Sequence, residues 1–218
     1  SSSGWSNTDF VVTAKPGYEL SRTGARDGEW TDSITVSEET ASGSVTFYVK
    51  NKTTGAISAA ATETYKIDKT APAGDIKMGT DSIKNALNAI TFGLFFKDTR
   101  TISITAEDSG SGVASIGYTL SDTVLDEDAV RAITDWTEYK EPFNIEPDTK
   151  AVVYVRITDN AGNTLYIGSN GLVIENTAPV IGGIEDGKAY CSAVTVEITE
   201  ENLDTVTVNG EVVQLANG

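Results

Sequence analysis

No histidine occurs among the 218 residues, and cysteine and methionine appear once each. Without imidazole there is no Ser-His-Asp or Cys-His nucleophile pair and no histidine general base. Zincin helices, two-His-one-carboxylate iron sites and zinc fingers are excluded as well, since each needs imidazole or several thiolates. The lone Cys191 cannot close an internal disulfide, which removes disulfide-framed secreted folds but leaves secretion itself open. Long apolar runs are also missing. The longest, Ile90 to Phe96, is far too short to span a bilayer as a helix.

Basic residues are scarce. Sixteen Lys and Arg face 32 Asp and Glu, a net charge of −16, which argues against nucleic acid or an anionic membrane surface as partner. Residues 1–71 carry 9 acids and 7 bases, 72–178 carry 16 and 8, and 179–218 carry 7 and 1. No block of like charges stands out, so the excess reads as a solvated acidic surface. Ser1-Ser2-Ser3-Gly4 and Ala216-Asn217-Gly218 read as cut points, so a longer parent chain is expected.

What is present points to strands. Threonine occurs 29 times beside abundant Val and Ile, and β-branched side chains suit a pleated surface. Val45, Phe47 and Val49 alternate with polar residues, as do Val194, Val196 and Ile198; Ala151 to Thr158 is more apolar, with a continuous aliphatic odd face. A period of two predicts antiparallel sheets with one buried face. Asn209-Gly210 predicts a tight hairpin and Asp159 to Asn163 a longer one. Helix is predicted only over Ser82–Ile90 and Asp122–Ile133, with Asp122 as cap and Asp126-Glu127-Asp128 as an acidic first turn.

The chain also repeats itself. Gly17-Tyr18-Glu19-Leu20-Ser21 recurs as Gly117-Tyr118-Thr119-Leu120-Ser121, and Trp30-Thr31 as Trp136-Thr137. Phe47-Tyr48-Val49-Lys50 recurs as Val153-Tyr154-Val155-Arg156, and Asp68-Lys69-Thr70-Ala71-Pro72 as Glu175-Asn176-Thr177-Ala178-Pro179. A third copy opens after Pro179, where Val194 to Glu200 matches Ile102 to Glu107. The expected organisation is therefore a β-sandwich module over 1–71, a second over 72–178 with short helical insertions, and a partial module over 179–218. The partial module is expected to be weakly ordered or packed on a neighbour, because a partial sandwich leaves its apolar face open. Proline stiffens each junction, which favours an elongated array.

These motifs, with Glu107 to Val113, Ile157 to Asn163 and Ile184 to Tyr190, resemble the bacterial immunoglobulin-like repeats of Gram-positive cell-surface and secreted proteins. The resemblance implies an all-β chain of tandem immunoglobulin-like antiparallel sandwiches, displayed outside the cell at the surface or cell wall. It implies a non-catalytic stalk or spacer, with adhesion to extracellular glycan or host matrix protein as an added role. The alternative is a carbohydrate-binding or accessory region of an extracellular glycoside hydrolase.

For ligand binding, the candidate aromatics are Trp136, Tyr139 and Trp30, which would stack on sugar rings; a Trp at a repeated position more simply packs in or beside the core. For a hard cation, the oxygen donors are Asp108, Asp159 and Asn163, with Glu107 and Asn160 nearby. No EF-hand spacing supports them, and Asp and Asn are ordinary turn residues. No cofactor and no catalytic residue is assigned. Lys50, Lys66 and Lys77 alternate outward, which disfavours an isopeptide crosslink. The expected partners are neighbouring modules of the same chain.

Overall fold

A computed structural model describes residues 4–215; Ser1–Ser3 and Ala216–Gly218, within the segments read as cut points, lie outside the described residues. The fold is all-β. The first unit contains β1 (Phe10–Thr13), β2 (Tyr18–Ser21), β3 (Ser33–Val36), β4 (Thr40–Asn51) and β5 (Ala61–Ile67). The second contains β6 (Ala73–Met78), β7 (Asp81–Ser82), β8 (Lys84–Asn85), β9 (Phe92–Phe96), β10 (Arg100–Glu107), β11 (Val113–Ser121), helix α1 (Glu127–Ala132), β12 (Thr137–Glu138), β13 (Phe143–Ile145), β14 (Thr149–Asp159), β15 (Thr164–Ser169) and β16 (Gly171–Ile174). Four short strands follow, β17 (Val180–Gly182), β18 (Glu197–Thr199), β19 (Thr207–Val208) and β20 (Glu211–Val212). Among these strands, no sheet pairing crosses Pro72 or Pro179.

In the second unit, a sheet ordered β13-β10-β6-β7 faces one ordered β12-β11-β14-β15-β8, with β16 bridging β14 and the parallel β9. The core lies between them: Ile76, Ile102, Ile104 and Ile145 meet Val153, Val155, Ile157 and Ile167. The first unit packs β1-β3 against β2-β4-β5 around Leu20, Ile34, Val45 and Phe47. The alternation read in β4 holds, with Val45 and Phe47 buried and Thr46 exposed.

Three local expectations change. Residues 82–90 form β7, β8 and one turn of 3-10 helix at Leu87–Ala89, not a longer helix. The second helix is shorter than its apolar pattern suggested; Asp126, not Asp122, caps it by accepting the Ala129 N–H at 2.8 Å. Strand β14 is covered on both faces. Its odd positions feed the inter-sheet core, while Val152 and Tyr154 pack under Val130, Leu125, Ile133 and Trp136. The extra residues between Ser121 and Trp136 lay the helical insert over what would otherwise be a wet sheet face, which is why that strand is nearly all apolar.

The repeat also needs one adjustment. Leu20 lies opposite Val49, and Tyr118 opposite Val155. Matching Val49 to Val155 makes Leu20, not Tyr18, the counterpart of Tyr118. A slip of two residues keeps every side chain on its face, so alternation alone does not reveal it.

Candidate functional site

The expected ligand aromatics are half-buried, and each makes contacts within its own unit. Trp30 Nε1 donates to the Ala25 carbonyl at 3.0 Å, and the Lys50 ammonium sits 4.4 Å from its ring centroid. Trp136 Nε1 donates to the Ile133 carbonyl at 2.8 Å, and Arg156 stacks 5.2 Å from its ring. Lys50 and Arg156 occupy matching places in the repeat, so both modules use one device: a half-buried indole roofed by a cation. In the first unit Lys50 also pairs with Glu19 at 2.5 Å. In the second, the residue opposite Arg156 is Gly117, and Trp136 packs so closely there that an added Cβ would lie 3.0 Å from the Trp136 Cβ. Tyr139 is half-buried; its hydroxyl accepts the Ile104 N–H at 3.0 Å and its ring meets Tyr118 edge-on. It ties one sheet to the other.

The acidic candidates do converge, and they bring an acid that the turn motifs did not single out. Asp68, one residue past β5, joins Asp108 after β10 and Asp159 at the end of β14; their carboxylate oxygens lie within 4.8 Å of one another. Asp68 and Asp159 are each only 2 % exposed. Asp68 accepts Thr70 N–H at 3.1 Å and Ser111 N–H at 2.7 Å. Asp108 accepts Gly112 N–H at 2.6 Å. Asp159 accepts Gly162 N–H at 2.7 Å, Asn163 N–H at 2.8 Å and the Asn163 amide at 2.7 Å. Charge-assisted bonds of this kind offset the burial of the carboxylates.

Asn163 joins the two units. Its Nδ2 reaches the Asp68 carbonyl at 2.8 Å and the Thr70 carbonyl at 3.2 Å. Asn160 secures the neighbouring loop through the Ser111 and Gly112 carbonyls. Gly110 is required by close approach: a Cβ there would sit 2.5 Å from the Asp68 carboxyl carbon.

From the other side, the foot of the first unit holds the same linker. Lys69 pairs with Asp9 at 2.5 Å and donates to the Ser37 carbonyl at 2.9 Å. The Lys69 N–H and the Thr70 hydroxyl both go to Glu39. The Lys69 ammonium, helped by the Ser37 hydroxyl, holds the Asp9 carboxyl below its ordinary range.

A calcium ion takes about six to eight oxygens. Here Asp68, Asp108 and Asp159 could supply one such oxygen each, a partial ligand set; the oxygens of Asp68 and Asp159 also accept N–H donors, and the Asp68 and Thr70 carbonyls accept the Asn163 amide. Chemically the arrangement is a clamp: two loops of the second unit grip the linker that the first unit also grips.

No protein-family model matches the sequence, and no curated protein is significantly similar to it. No helix among the described residues is long and apolar enough to cross a membrane.

The signal for Asp68 was in the repeat. The junction motif carries an acid at the same place in both copies, Asp68 and Glu175, whereas the turn motifs drew attention to Asp108, Asp159 and Asn163, with Glu107 and Asn160 beside them.

Proposed function

We propose that this chain is a non-catalytic run of immunoglobulin-like β-sandwich modules, divided near Pro72 and Pro179, from a bacterial cell-surface or secreted protein. Its work is to hold flanking parts at a set distance and direction. The observation that carries this reading is the linker at Asp68–Thr70, bound by Asp9 and Glu39 below and by Ser111 and Asn163 above. A connection held only to be flexible would need none of these bonds; a tether is built from Gly and Ser.

The strand order supports the same reading. The second unit pairs β13-β10-β6 against a sheet containing β12-β11-β14-β15, as an immunoglobulin-like sandwich does. The two roofed indoles support a spacer over a sugar-stacking surface, because a cation already lies over each ring.

Solution scattering combined with glycan and matrix-protein arrays tests the proposal. A spacer scatters as an elongated particle and leaves the arrays blank. A compact particle, or specific binding that Trp136→Ala abolishes, overturns it.

A further inference from the structure

Resting on the modular reading above, we infer that each linker is aimed by the unit that precedes it, through one set of bonds repeated at the foot of both units. In the second unit every residue of the set lies between Phe96 and Thr177, so the set is complete within that unit and its own linker.

The two sets match bond for bond. Ile67 pairs with Thr40 in β5-β4, and Ile174 with Thr149 in β16-β14, so Asp68 and Glu175 leave their ladders at the same point. Each is tied there by its backbone. The Asp68 N–H donates to the Ser6 carbonyl at 3.0 Å, and the Glu175 N–H to the Phe96 carbonyl at 2.9 Å. Ser6 and Phe96 both lie parallel to the last strand of their unit. Each acid then accepts the N–H two residues on, that of Thr70 at 3.1 Å or that of Thr177. Each threonine hydroxyl in turn donates to a carboxylate that stands just before the long central strand: Thr70 to Glu39 at 3.1 Å, Thr177 to Asp148 at 3.2 Å. Asp148 takes φ of 59° there, a left-handed conformation that aspartate tolerates. Beside each turn sits one more matching contact, with the acid and the hydroxyl exchanged between strands. Ser37 donates to Asp9 at 2.9 Å, and Thr99 to Glu146 at 2.6 Å.

These bonds fix the acid and the threonine of each linker. The next two residues add little freedom, because both linkers continue as Ala-Pro. Proline fixes its own φ and holds the preceding alanine extended. The chain therefore has its direction before it meets the following unit. At the first junction, the loops carrying Ser111 and Asn163 close on a linker that is already aimed, and secure it.

Nitrogen-15 relaxation on the full chain tests this, read at the Thr177 and Ala178 N–H groups. The expected order parameters stay near the rigid-backbone value of about 0.85 and fall below about 0.6 in Asp148→Ala and in Thr177→Val. Unchanged values in β16 show that the unit is still folded. In Glu39→Ala, Thr70 and Ala71 should lose less order, because Ser111 and Asn163 still hold that linker. Mobile Thr177 and Ala178 in the parent chain overturn the aiming, even if scattering shows an elongated particle. A compact particle with an ordered Thr177 and Ala178 overturns the spacer reading alone. Order retained in both variants overturns the assignment to Asp148 and Thr177. A loss in Glu39→Ala as large as that at Thr177 overturns the securing role of the second unit.

Discussion

Asp68 Oδ2 accepts the backbone N–H of Ser111 at 2.7 Å, across the boundary between two sandwiches whose sheets share no strand. One carboxylate from the end of one unit thus orders a loop of the next, and the same residue's carbonyl is taken by Asn163. Local geometry at a single linker residue sets the relation between two cores.

Asp68→Ala should therefore do two things at once. It leaves the Thr70 and Ser111 N–H groups without their acceptor, at a cost of about 1–3 kcal/mol. It also frees the linker. Chemical denaturation reads the first effect and solution scattering the second, as a loss of fixed inter-unit orientation. A variant with unchanged scattering would show that Asp68 serves stability alone.

Asp108→Asn should act in the opposite direction. Three carboxylates with oxygens inside 4.8 Å repel one another, and Asp108 is the least buried of the three. An amide keeps an acceptor for Gly112 while removing one charge. In EDTA at low ionic strength the midpoint of thermal unfolding should rise, by an amount on the order of 1 kcal/mol in stability, and the gain should shrink in high salt. A midpoint that falls would show that the third charge is stabilising.

Trp136→Ala should destabilise the second unit by about 1–3 kcal/mol, through lost packing of the indole and exposure beneath it. Trp30→Ala should act similarly on the first unit. Neither should change the response on a glycan array. Denaturation profiles and array signals separate a packing role from a binding role.

Tyr154 is fully buried, and its hydroxyl accepts the Leu125 N–H at 2.7 Å. Burial raises its phenol above the ordinary value of 10.0. The unfolded chain then releases this proton at lower pH than the fold does. The contribution is fully present below pH 10.0, and is lost as pH climbs towards the higher folded value. Tyr154→Phe should cost about 1 kcal/mol at neutral pH and flatten part of the alkaline decline, both readable from denaturation at stepped pH.

Much of the architecture was legible because it is periodic. Val45, Phe47 and Val49 predicted one wet and one dry face for β4, and the structure places them so. The same periodicity hid two things. It is blind to a slip of two, so the Tyr motif was matched one residue pair out of register. It also does not say whether the polar-looking face of β14 is covered, which depended on where the insert after Ser121 folded back. At the opening of the third copy, Val194 and Val196 lie outside β18, which begins at Glu197, and stay 42 % and 47 % exposed; their alternation was visible, but alternation requires a facing sheet before it buries anything.

Composition and pattern by themselves determined that the chain is built of strands, that histidine chemistry and an internal disulfide are absent, and that the acidic charge lies mostly beyond residue 72. These are local or additive properties, and the order of residues suffices for them. Tertiary structure alone decided that Asp68, Asp108 and Asp159 meet, that Lys50 and Arg156 roof Trp30 and Trp136, and that Tyr139 turns inward. Each of those relations joins residues brought together only when strands distant in sequence pair, two sheets pack or two units abut. Their cause is the closing of long loops, which no window along the chain contains.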